Sequence, residues 1–307
     1  ATLPIVKTLN YHDKNLVGDI KYLWEINWHL ELVTIAQAWF LSEDKKYLKA
    51  IDGYINSWID QCPNLSGPNW ASALEAAIRL INWSLSWQLI GGADSILFAD
   101  EHGKKLQSKW IRSIYQHVHF IKNNLSKYSS ANNHLIGELS GLYIGTKTWP
   151  YFRKFKKFNG LSKKRLIHQA LIQTYADGVN KEQSVGYQKF VLEFLLICGI
   201  AGEKSNDKFP DHYWVIIGKM LDFLNSLMDV KYHYPMFGDS DDGMAFRIHP
   251  HQEADDSNPI LSLGSQIFSF EDTDKRNIKS KDFVKWLLDD FKKGSKENLY
   301  TLYSEKS

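Results

Sequence analysis

"ASALEAAIRLINWSLSWQLI", residues 71–90, decides the class of fold. Leu74, Ala77, Ile78, Ile81 and Leu85 recur at spacings of three and four, the period of a helix face turned to a core, while Glu75, Arg79 and Asn82 are displaced from that stripe. A half-buried strand would alternate instead. The helical period returns along most of the chain, over residues 19–41, 44–60, 99–123, 130–146, 161–176, 182–201, 211–230 and 281–292. Short punctuation such as "CPNLSGPNW", "GGADS" and "WPYF" separates these runs, so consecutive helices are expected to lie antiparallel. A chain of helical hairpins builds either a solenoid or a ring whose inner helices line a cleft. No fixed-period repeat of the tetratricopeptide or armadillo kind is present, which favours the ring.

From about residue 235 the texture changes. "YPMFGDSDDGMAFRIHPHQEADDSNP" is rich in Gly, Pro, Asp and His, with one strand-like piece, "MAFRI", and reads as a long ordered loop. One more amphipathic helix and a polar, linker-like tail follow.

The chain has 307 residues and 44% hydrophobic content, enough for a sizeable core. Its 37 basic and 35 acidic residues give a net charge of +2, so nothing global points to nucleic acid or to a membrane surface, and charge arguments must be local. Aromatic residues make up 14%, including 11 tryptophans. Flat rings stack on sugars in carbohydrate clefts and equally fill helical cores, and the sequence divides the tryptophans evenly between these uses. Cys62 and Cys198 suggest neither a metal site nor a disulfide framework, although a single bridge stays open. No apolar run approaches the length of a membrane span, and "ATLPIVKTLNYHDKNL" is not a signal peptide; the compartment is not readable there.

Two polar segments interrupt the apolar pattern. "SSANNHLIGELSGLYIG", residues 129–145, sets Asn132, Asn133 and His134 at the head of a helix, either as a cap or as polar groups turned to a ligand. "YADGVNKEQSVGYQKFVLEFLL", residues 175–196, puts a turn at Asp177-Gly178, then Glu182, Gln183 and Ser184, then Tyr187 in the first turns of the next helix. Arg79 either supplies positive charge to a cleft or pairs with Glu75 four residues before it. Between Lys147 and Arg165 stand eight basic residues and no acidic one, by default a solvated face. Asp239, Asp241 and Asp242 do not fit an EF-hand spacing and read as loop-ordering groups. His117, His119 and His168 lack a metal-ligand set, while His233, His249 and His251 flank the acidic loop as cleft candidates.

Four stretches in order, "NWASALEAAIRLINWSLSW", "SSANNHLIGELSGLYIG", "DGVNKEQSVGYQ" and "FGDSDDG", resemble the helical domain of the heparinase II/III-like polysaccharide lyases over most of residues 20–250. The resemblance implies an incomplete (α/α) toroid over residues 1–250. Residues 251–307 would then be a final helical segment and linker towards a C-terminal β-sandwich domain of a longer chain. It implies an acidic, uronate-containing polysaccharide as substrate, no cofactor or metal, and a periplasmic or secreted location. The family's Asn-His pair falls on Asn133 and His134, with Asn132 competing for the first role, and its tyrosine base falls on Tyr187. Trp70, Arg79, Glu138, Gln183 and His233 complete the substrate-binding candidates. A glycoside hydrolase on the same ring, with carboxylates drawn from Glu138, Glu182 and Asp239, and a non-catalytic acidic-glycan-binding module are the alternatives.

Overall fold

The structure is a computed structural model that describes residues 10, 13, 15, 18–229, 233–235, 237–239, 243–248, 258–268 and 286–288. The helices are α1 (Ile20–Ile26), α2 (Leu30–Ser42), α3 (Lys45–Gln61), α4 (Ala73–Leu89), α5 (Glu101–Asn123) and α6 (Asn133–Thr148), followed by α7 (Arg153–Ile172), α8 (Val185–Lys204), α9 (Asp211–Ser226) and α10 (Asn258–Phe268). Among the described residues there is no strand, only an isolated bridge between Thr174 and Asn180, and the all-α expectation holds. Side-chain caps start several helices: Asp19, Asp44, Asp100 and Ser184 each accept a first-turn N–H.

Three elements depart from the sequence pattern. The run read as one helix over 19–41 is two, because His29 takes a left-handed backbone, φ 62°, with its side chain fully buried. Packing explains the break: the imidazole lies edge-on to Tyr54 and Trp58 and accepts Trp83 Nε1–H at 2.7 Å. α7 starts at Arg153, ahead of the expected 161, since Phe155, Phe158, Ser162, Leu166 and Ala170 form a buried stripe beneath a basic sequence. α10 opens on the last two residues of the stretch read as loop and continues through 260–268, for which the sequence reading offers no element. "MAFRI" forms no strand, and the Ala245 N–H donates to Glu193 Oε2 at 2.7 Å rather than to a ladder. The 250/251 boundary and most of the helix expected over 281–292 lie outside the described residues, as do Asp241, Asp242, His249 and His251.

The chain forms two compact units, residues 1–163 and 164–307. In the first, α4 packs between α2 and α6, while α3 and α5 pack on each other and behind that row, the two-row pattern of (α/α) helical hairpins. The inner row is tight. A Cβ on Gly141 of α6 would stand 2.5 Å from the Ala77 Cα of α4, and one on Gly145 would stand 2.9 Å from Leu80. Behind it Trp58, Trp70, Trp83, Trp87, Trp110 and Trp149 are all buried; Trp110 meets Trp83 and Trp87 edge-on, and Trp87 meets Trp149 the same way. Eight of the 11 tryptophans are buried and the other three half-buried, so aromatic richness here builds the core.

In the second unit α8 packs with α9 and α10. By length and composition α8 could cross a membrane, yet 78% of its apolar window is buried inside the protein, which marks it as a core helix. Both cysteines are free thiols.

Candidate functional site

In the first unit the head of α6 resolves the doubled asparagine. Asn132 is the N-cap, its Oδ1 accepting the His134 N–H at 3.1 Å. Asn133, the first helical residue, is buried, and His134 is exposed. The segment entering this helix is anchored from below: both carboxylate oxygens of Glu138 are taken by Ser126, from its N–H at 2.6 Å and its hydroxyl at 2.7 Å. Glu138 is buried and serves as this tie rather than as an exposed acid. Between the tie and the cap lies Tyr128, which is 92% exposed and has φ 55°, a left-handed backbone uncommon for a bulky residue. The sequence reading missed it. An aromatic ring between serines and asparagines carries no periodic signal, and only its exposure and backbone single it out.

Arg79 and Trp70 sit deeper. Arg79 is fully buried, donating Nε–H to Asn27 O at 2.7 Å, lying 3.0 Å through Nη1 from His117 Nε2, and stacking over Trp58 with its guanidinium carbon 4.4 Å from the ring centroid. His117 Nδ1 lies 2.7 Å from Ser113 O, so Nδ1 donates there and Nε2 accepts from Arg79. Burial lowers Arg79 to about 10, which leaves it charged at neutral pH. Burial first, and the Arg79 charge second, hold His29 and His117 well below the ordinary histidine range. Glu75 attracts Arg79, and its carboxylate also accepts from Trp28 Nε1 and Ser72 Oγ. Trp70 is 1% exposed, donates Nε1–H to Cys62 O at 3.2 Å, and faces His117. These two candidates are beams beneath the wall and offer no surface to a ligand.

In the second unit two distant motifs meet. Asp177-Gly178 makes a tight turn in which Asp177 accepts the Val179 N–H; Gly178 has φ 94°, and a Cβ there would stand 2.3 Å from the Lys219 carbonyl oxygen. Buried Gln188 pins that turn, accepting Asn180 N–H at 2.7 Å and donating to the Gly178 and Met220 carbonyls. The chain then passes through exposed Gln183, φ 53°, into α8. Residues 237–239 of "FGDSDDG" dock on this helix head: Val185 N–H donates to Phe237 O at 3.2 Å, and Ser184 Oγ donates to Asp239 O. Gly238, φ 78°, lies so close that a Cβ would stand 2.6 Å from the Gln183 carbonyl oxygen.

Tyr187 is half-buried there, and its hydroxyl lies 3.5 Å from Asp239 Oδ2, the outer edge of hydrogen-bond range. Asp239 is exposed, and Glu182 is half-buried at the turn. His233 is exposed, on a turn in which its N–H donates to Asp229 at 2.9 Å and its ring Nδ1 lies 3.6 Å from the same carboxylate. No group of three or more metal-ligating side chains occurs among the described residues.

A protein-family model, Heparinase II/III N-terminus, matches residues 8–253. Among solved structures, Heparinase III is 18% identical with a TM-score of 0.58, covering 67% of this chain and 31% of that one. The heparan sulfate lyase HepC from Pedobacter heparinus is 17% identical with a TM-score of 0.58, covering 91% of this chain and 41% of that one. At such identity these likenesses show the fold. The chain thus spans less than half the length of the structures it matches. None of the curated proteins matches it.

Proposed function

Since the chain belongs to the heparinase II/III family by its N-terminal domain, making it part of a polysaccharide lyase family, we propose that it carries the helical half of an enzyme that cleaves an acidic, uronate-containing polysaccharide by β-elimination. The substrate is a 4-linked uronate. The reaction removes the proton on C5, alpha to the carboxylate, and expels the oxygen on C4, leaving a C4–C5 double bond.

Charge builds on the uronate carboxylate as the C5 proton leaves. In this reading the Asn133 amide and a ring N–H of His134 donate to that carboxylate, an interaction of the kind whose loss costs roughly a hundred- to a thousandfold in rate. Asn132 is engaged as the cap of α6, which leaves Asn133 for the role, and since Asn133 is 3% exposed the role requires the helix head to open for its amide to reach a sugar. Tyr187 accepts the C5 proton through its phenol oxygen. A free phenol titrates at about 10, so the phenolic proton must leave as the C5 proton arrives; Asp239 Oδ2, at 3.5 Å, is an acceptor within reach. Gln183, His233 and Tyr128 are proposed as surrounding substrate contacts, with Glu138 tying down the segment that carries Tyr128 and Arg79 and Trp70 buried in the first unit as structural residues. The β-sandwich domain of the longer chain, and a periplasmic or extracellular site of action, belong to the same proposal.

The observation that carries this reading is the placement of Tyr187, half-exposed at the head of α8 with the 237–239 loop docked beside its hydroxyl. The test is digestion of a panel of heparan sulfate, hyaluronan and alginate by the full-length protein, followed by ultraviolet absorbance of the unsaturated product. Turnover should fall by a hundredfold or more in Tyr187→Phe with the fold intact. Saturated products would show hydrolysis, and normal turnover in Tyr187→Phe would remove the tyrosine from the base role.

A further inference from the structure

We propose that the exposed face of α7 is a second binding track for an anionic polysaccharide strand; the choice of ligand rests on the lyase reading.

The face is built from charge without counter-charge. From residue 139 to residue 176 the sequence contains no Asp or Glu, while Lys147, Arg153, Lys154, Lys156, Lys157, Lys163, Lys164 and Arg165 lie within it. The whole chain has a net charge of +2, so the rest of it is net negative. The structure puts most of these cations on one helix whose opposite stripe, Phe155, Phe158, Ser162, Leu166 and Ala170, is buried. At 100° per residue, Arg153, Lys157 and Lys164 fall on the ridge opposite that stripe, with Lys154 and Lys156 flanking it, and all five are exposed. Arg153 to Lys164 spans about 16 Å at the helical rise of ~1.5 Å per residue.

None of these five residues has an ion-pair or hydrogen-bond partner among the described residues. Some lysines elsewhere are paired, as exposed Lys46 with Asp44 and half-buried Lys109 with Asp60, while exposed Lys45, Lys49, Lys104 and Lys105 show no partner among the described residues; what sets α7 apart is that it lies in a stretch, 139–176, that holds no acid at all. Arg153 with Lys156 and Lys157, and Lys154 with Lys157, are like-charge neighbours three and four residues apart, each a local cost to the helix. An arrangement that opposes its own helix, with no acid supplied from a neighbouring element among the described residues, is relieved when an external anion lies along it.

A single extended polyanion matches a straight ridge one helix wide. Duplex nucleic acid or an anionic membrane would call for a broader positive surface than one helical ridge on a chain whose remainder is net negative.

The experiment compares the protein with a variant carrying Arg153→Gln, Lys154→Gln, Lys156→Gln and Lys157→Gln. Glutamine keeps the helix propensity. A control removes the same charge from exposed positions on α3 and α5: Lys45→Gln, Lys49→Gln, Lys104→Gln and Lys105→Gln. On immobilised heparin the α7 variant should elute at lower salt than the control, its salt dependence shallower by about 0.7 log unit for each cation that had met the polymer. On long polymer its KM should rise about tenfold, with kcat/KM on a tetrasaccharide unchanged. Co-elution of the two variants overturns the proposal, as does a larger loss of binding to a single-stranded oligonucleotide or to phosphatidylserine vesicles than to heparin. Because elution is read without turnover, failure of the lyase reading would leave wild-type digestion absent while the column result stood on its own.

Discussion

At the scale of single residues, the side chains of greatest chemical interest divide into those that face outward and those that hold the wall up. Arg79 shows the second kind. Its guanidinium meets Asn27 O, His117 Nε2 and the face of Trp58 at once, and a lysine ammonium, compact and without the planar fork, cannot make all three. Arg79→Lys should therefore lower stability by about 2 kcal/mol or more, because it leaves buried acceptors unmet. Urea unfolding measures it; a loss under about 0.5 kcal/mol, the level of an ordinary surface change, would contradict the bridging role. Positions 133, 134 and 187 became catalytic candidates only through the resemblance, and their roles remain part of the proposal. The burial of Trp70, Arg79 and Glu138 was not legible. Each is a polar or aromatic side chain that serves a cleft or a core equally well, and only the partners, Cys62 O, Asn27 O and Ser126, decide between the two. Tyr128 was invisible for the reverse reason, since exposure leaves no periodic mark.

At the scale of elements, the tightest joint is the α4–α6 packing. Gly141 of α6 rides on the backbone of Ala77 in α4, and the two motifs that suggested the family in the first half of the chain are the two helices that meet there. Gly141→Ala should push them apart and cost about 1–3 kcal/mol, although alanine is the better helix former. Denaturant midpoints check this, with Gly160→Ala on α7 as the comparison, since nothing lies within 4 Å of a Cβ at Gly160 and the gain there should be a few tenths of a kcal/mol. A stabilised Gly141→Ala would mean that the helices relax freely. Most helices were legible from period alone. The misses share a cause, in that tertiary packing outweighed local pattern: buried His29 split a continuous apolar run, and a buried stripe carried α7 through a stretch that charge made look like loop.

At the scale of the whole molecule, stability should depend on pH through a group that takes no part in the proposed chemistry. Glu193 is buried on α8, where burial, opposed by Lys189 and the Ala245 N–H, raises it to about 7 from an ordinary value of 4.5. Between these values the folded chain keeps a proton that the unfolded chain has released, so this contribution is present at low pH and is lost as pH rises through about 7. The slope is at most ~1.4 kcal/mol per pH unit. Glu193→Gln should flatten the profile, as read by urea midpoints from about pH 5 to 8; parallel profiles would place the carboxyl in a wetter setting. The all-α class was legible, because helical period dominates the sequence. The division at 163/164 was not, since it falls inside a continuous helix that runs through Gly160 and Ser162 without a break.

The buried indoles have an optical consequence. Nine of the 11 tryptophans belong to residues 1–163, and four of them stand edge-on in a chain of ring centroids 5.3–6.0 Å apart, close enough for excitation to pass among them before it is emitted. The native emission should thus be short in wavelength and dominated by the first unit. A red shift on denaturation would time the melting of that unit, and the loop beside Tyr187 would stay dark to the same lamp.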